Sequence, residues 1–161
     1  MSLPRRQGAF VLIGLLAAVF VAGALGAVVT IPQIPGWYRL IAKPAWTPPD
    51  QVFGPAWTTL YLLMALAAFL VWRRPDQPAR GWALRLWWVQ LAANLLWSPL
   101  FFGLHWLGLA LAEIALLWLL VLATLVAFRR VNGLAAGLLA PYLLWVSFAA
   151  ALNAAVWQLN G

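Results

Sequence analysis

Charge is confined to a few narrow places in this chain. Residues 7–38, 51–72, 86–112, 114–128 and 131–161 contain no Lys, Arg, Asp or Glu. An apolar run of about 18 or more residues lets an α-helix cross the roughly 30 Å hydrocarbon layer of a bilayer. With 8% charged residues and a mean hydropathy of +0.92, the 161 residues cannot supply the polar exterior of a soluble domain. The chain reads as an integral membrane protein.

Extending the 114–128 stretch back across Glu113 to Leu107 gives a full-length span ending at Phe128. The pattern then predicts five transmembrane helices, roughly 9–29, 52–72, 83–104, 107–128 and 134–158, in a single domain covering 1–161. Backbone groups in lipid must be satisfied internally, which leaves helices or a closed barrel. Barrel strands alternate apolar with polar residues, and runs such as Leu116 to Ala123 do not. The fold class is therefore all-α. Arg5 and Arg6 precede the first apolar run as they would in a signal peptide, but the run is about twice the length of a signal-peptide core. It is expected to remain as a helix.

The net charge of +7 is a topology signal rather than a nucleic-acid surface. Arg5, Arg6, Arg73, Arg74, Arg80, Arg85, Arg129 and Arg130 fall on one side of the membrane, and Arg39 and Lys43 on the other. Basic residues concentrate on the cytoplasmic side, which places the N-terminus inside and the C-terminus outside. The chain has no cysteine, which excludes disulfides and thiolate metal ligands.

The segment from Ile31 to Gln51 holds five prolines (Pro32, Pro35, Pro44, Pro48 and Pro49) among Trp37, Tyr38 and Trp46. Proline fixes φ and removes a donor, so this is a stiffened loop with room for a helical turn near Tyr38 to Ala42. Its aromatics suit either the headgroup level or a lid over a cavity. Helix one carries small residues at four-residue spacing: Gly14, Ala18, Ala22 and Gly26. Such a stripe lets another helix approach closely, either within the bundle or across a dimer.

Several polar and aromatic residues share helix faces. Phe53, Trp57, Tyr61 and Met64 trace one side of helix two, as Gln90, Asn94, Trp97 and Phe101 do on helix three. Trp145, Ala149, Leu152 and Asn153 share a face of helix five. An unpaired amide in hydrocarbon is costly, so Gln90 and Asn94 should point inward. They either hold the bundle together or anchor a ligand in an aromatic pocket. Glu113 is the one acid within a span, and without a second buried ionisable group it makes a poor proton relay. His105 occupies a turn and is expected to be solvated; Pro99 and Pro141 should kink or start their helices. No phosphate-binding loop, metal cluster or nucleophile–base set is visible, and Ser2, Ser98 and Ser147 have no base partner. No metal and no cofactor is assigned.

Five strings carry a resemblance. Trp37-Tyr38 is followed by Lys43-Pro44-Ala45-Trp46-Thr47-Pro48-Pro49 and by Val52-Phe53-Gly54-Pro55-Ala56-Trp57-Thr58-Thr59-Leu60-Tyr61. Together with Gln90 through Phe102 and Pro141 through Asn153, they resemble the translocator protein family, also called the tryptophan-rich sensory proteins. The twelve tryptophans agree, and the resemblance covers nearly the whole chain. It implies a five-helix, usually dimeric bundle whose first loop closes a cavity. It further implies binding of porphyrins and related tetrapyrroles, sterols, and isoquinoline or benzodiazepine ligands. Carried over, the ligand-binding positions are Trp37, Tyr38, Trp46, Phe53, Trp57, Asn94, Trp97, Trp145, Ala149 and Leu152. Some members are proposed to degrade protoporphyrin in light, with Tyr38 and Trp57 at the implicated positions. The animal cholesterol-recognition motif is missing, since Ala151 to Gln158 contains neither its tyrosine nor its arginine. Composition suits a bacterial member in the inner membrane.

The leading expectation is a receptor or carrier for tetrapyrroles, dimeric through Gly14, Ala18, Ala22 and Gly26. Light-dependent porphyrin degradation and small-molecule transport are the competing readings.

Overall fold

The computed structural model describes residues 5–161, with Arg5 described by its backbone alone; Ser2 lies outside the described residues. Long helices run over α1 (Arg5–Thr30), α3 (Phe53–Trp72), α4 (Arg80–Ser98), α5 (Leu107–Val131) and α6 (Gly133–Asn160). The segment between α1 and α3 holds a 3-10 turn at Ile31–Gln33, the one-turn helix α2 (Trp37–Leu40) and a second 3-10 turn at Asp50–Val52. No strand occurs among the described residues.

The helix ends have local causes. Pro99 has no N–H to continue the ladder of α4, and the chain widens into a π-helical turn, Pro99–Gly103, closed by Leu104 N–H on the Pro99 carbonyl at 2.8 Å. The expected helix 83–104 is thus α4, starting earlier, plus this turn. Asn132 is extended, and its side-chain oxygen accepts from the N–H groups of Leu134 and Ala135, capping α6. Pro141 lies inside α6 rather than at its start.

Among the described residues, four segments are long and apolar enough to cross a membrane: Arg6–Gln33, Asp50–Trp72, Leu107–Val131 and Gly133–Asn160. α4 is not among them, because Arg80, Arg85, Gln90 and Asn94 dilute its apolar residues. α5 packs between α4 and α6, α3 lies against α1 and α6, and α1 closes the ring against α4. Ala65, Ala67, Ala68 and Ala83 are fully buried, and such small side chains let helices approach closely where lipid is as apolar as leucine. Trp87, also fully buried, donates its indole N–H to the Met64 carbonyl at 3.1 Å, which ties α4 to α3.

The small-residue stripe of α1 is divided. Ala22 is buried in the protein's own core, Ala18 is packed against that core, and a β-carbon on Gly26 would stand 3.3 Å from Ser98 Oγ. Only Gly14 has open space around it. Most of the groove expected to meet a second subunit is filled by neighbours in the same chain.

Candidate functional site

Five helices and a π turn bring aromatic rings around one cavity of about 480 Å³, within the range of small-molecule sites. α3 contributes Phe53, Trp57 and Tyr61; α4 contributes Asn94 and Trp97; the π turn contributes Phe101 and Phe102. α6 adds Trp145, Ala149 and Leu152. Tyr38 on α2 reaches in from the connecting segment and is buried. No charged side chain lines the cavity.

Polar groups at the wall are organised into two linked sets. Tyr61 donates its hydroxyl to Asn94 Oδ1 at 3.0 Å, and Asn94 Nδ2 donates to the Tyr142 hydroxyl at 3.0 Å. One amide thereby joins α3, α4 and α6, with Tyr142 itself fully buried. Trp97 donates its indole N–H to Asn153 Oδ1 at 3.1 Å, while Asn153 Nδ2 donates to the Leu107 carbonyl at 3.0 Å. The Trp97 ring is therefore oriented by its edge, and its face stacks on Phe101 with centroids 4.9 Å apart.

Trp145 differs from these. It lines the cavity, yet its buried indole N–H has no partner in the protein. Gln90 and Glu113 are also buried, with side-chain polar atoms that meet no protein partner. Neither is among the residues lining the cavity.

The cavity is covered by the segment between α1 and α3. Tyr38 packs on Phe101 and Phe102 at centroid distances of 6.4 and 5.5 Å. Burial, with the nearby Asp50 charge adding to it, pushes the Tyr38 phenol up to about 12. Lys43 lies 4.7 Å from the Tyr38 ring centroid and donates to the carbonyls of Tyr38 and Ile41. Asn160 at the end of α6 accepts from Ala42 N–H at 2.9 Å and donates back to its carbonyl at 2.8 Å.

Of the ten ligand positions expected from the resemblance, eight line this cavity: Tyr38, Phe53, Trp57, Asn94, Trp97, Trp145, Ala149 and Leu152. Trp37 and Trp46 do not. Trp37 stacks on His105 outside the lining, so that turn histidine has an aromatic partner. Trp46 is half exposed and meets the Phe148 ring edge-on. The wall contributed by α1 through Phe20, Gly23, Ala24, Ala27 and Thr30 was missed in the sequence. Its only signal was a density of small residues there, already read as helix packing. No cluster of His, Cys, Asp or Glu able to hold a metal occurs among the described residues.

Comparison with known proteins agrees on one relationship. The TspO/MBR family model matches residues 15–158. Protein CrtK of Rhodobacter capsulatus is 43% identical over 152 residues, covering 91% of this chain and 92% of that protein. The tryptophan-rich sensory protein of Cereibacter sphaeroides is 44% identical over 124 residues, 77% of each chain. The human translocator protein is 42% identical over 126 residues, 77% of this chain and 75% of its own.

Proposed function

The chain belongs to the TspO/MBR family, and on that footing we propose that it is a membrane receptor or carrier for flat, mostly apolar ligands of the tetrapyrrole class. One observation carries the reading: an uncharged, aromatic-walled cavity of about 480 Å³ lies beneath Tyr38. Aromatic faces suit a flat conjugated ring, held by stacking on the wall. The absence of lining charge also means that a ligand's carboxylates stay at the mouth, since burying one unpaired is costly.

On this reading α4 is a fifth span, because it packs on both α1 and α5 and its amides face inward. The basic residues place the N-terminus in the cytoplasm of a bacterial cell, with the covered mouth on the outer side of the inner membrane. Synthetic isoquinoline-type compounds, flat and mostly apolar, belong to the same proposal; a sterol has no recognition motif at the end of α6. A homodimer belongs to the same proposal, with the open part of α1 around Gly14 as its contact.

Titration with protoporphyrin tests the site. Intrinsic tryptophan fluorescence should be quenched saturably, and Trp57→Ala or Trp145→Ala should weaken binding about tenfold. Unchanged titrations in both variants would remove the site.

A second reading has its own observation, since Tyr38 and Trp57 face the same cavity. In that reading dissolved dioxygen is the oxidant, adding across a carbon–carbon double bond of the light-excited porphyrin and cleaving it to two carbonyls, while Tyr38 and Trp57 hold the ring. Illumination that forms the same product with Trp57→Phe, or in detergent alone, would dismiss it.

A further inference from the structure

Beside the packing of Tyr38 on Phe101 and Phe102 and of Trp46 on Phe148, two contacts hold the cover on either side of Tyr38. At one end, the Asn160 amide pairs with both backbone groups of Ala42. At the other, the Trp37 indole lies flat on the His105 imidazole, with centroids 4.0 Å apart and planes inclined by 15°.

The backbone is arranged to make the second contact. His105 has φ of 57°, the one positive value on a non-glycine among the described residues. Few side chains tolerate that region, histidine better than most. It follows the π turn that carries Phe101 and Phe102, so the rings under Tyr38 and the ring under Trp37 come from one continuous stretch. Trp37 also meets Phe101 edge-on at 5.8 Å. Because Trp37 and Tyr38 are adjacent on α2, whatever grips the first sets the position of the second.

We propose that His105 is a positioning residue for the cover: its imidazole holds Trp37, and through it Tyr38, over the cavity. Stacked aromatic rings attract one another beyond the area they bury, so the flat contact holds Trp37 in one orientation.

The effect on ligand release rests on the cavity being the ligand site; the contact itself does not. His105→Ala should release protoporphyrin dimethyl ester roughly two- to fivefold faster than the unsubstituted protein. Trp37→Leu, free of any φ constraint, should do the same, and the double variant should be no faster than either. His105→Phe, which keeps a ring under Trp37, should keep slow release. The chain has a single histidine, so its imidazole NMR signals are unambiguous in ligand-free protein. They should lie upfield through the Trp37 ring current and move to ordinary positions in Trp37→Leu. Ordinary shifts in the unsubstituted protein, or release unaltered in both single variants, would overturn the clamp. An ester that does not bind would instead count against the cavity reading, and the NMR signals would then decide the clamp.

Discussion

A β-carbon on Gly23 would stand 2.7 Å from Cε2 of Tyr61, so α1 is bare where the tyrosine ring crosses it. That close approach sets the depth at which the Tyr61 hydroxyl meets Asn94, and hence the shape of the cavity wall.

Gly23→Val should therefore push Tyr61 off α1 and break its bond to Asn94. The expected cost is about 1–3 kcal/mol from overpacking, read as a lower unfolding temperature in detergent. Tyr61→Phe, which removes only the hydroxyl, should cost about 1 kcal/mol. If Gly23→Val unfolds like the unsubstituted protein, α1 does not press on that ring.

Asn153→Leu should leave the Trp97 N–H and the Leu107 carbonyl unpaired inside the protein. Each orphaned group costs about 1–3 kcal/mol, so this variant should rank among the most destabilised single substitutions in α6. Chemical denaturation, together with the near-ultraviolet circular dichroism of Trp97, reads both the loss and the freed ring.

Tyr38 should ionise near pH 12 instead of 10.0. Folding favours the protonated phenol, so its contribution is complete below about pH 10 and is lost as pH rises through about 12. The phenolate absorbance difference between the protein and Tyr38→Phe should appear in that higher range. A difference already complete by pH 10 would mean that Tyr38 is solvated.

Leucine at Ala22 and at Gly14 should behave differently. Ala22 is buried, so Ala22→Leu should destabilise by about 1–3 kcal/mol whatever the oligomeric state. Gly14 faces open space, so Gly14→Leu should leave the fold intact and shift any α1-mediated dimer toward monomer in light scattering.

The helices were legible because charge marks their ends, and the faces of α3, α4 and α6 because side chains three or four apart share a side. Asn94 and Trp97 could be placed in this way. What each amide binds was not legible, since partners such as Tyr142 and Leu107 lie on other helices whose rotation the periodicity leaves open. The π turn escaped notice because Pro99 announces a break without saying whether the helix bends, stops or widens. α4 shows the opposite limit: its pattern resembles a span, yet its arginines and amides keep it from the hydropathy of the other four.

The pair of bonds between Ala42 and Asn160 joins residues 118 apart in the chain. A loop of that span is closed only at an entropic cost, which the helices inside it offset by holding its two ends together. The seating of the cover therefore depends on α6 being packed along its length, although α6 lies at the far end of the chain from the segment it fastens.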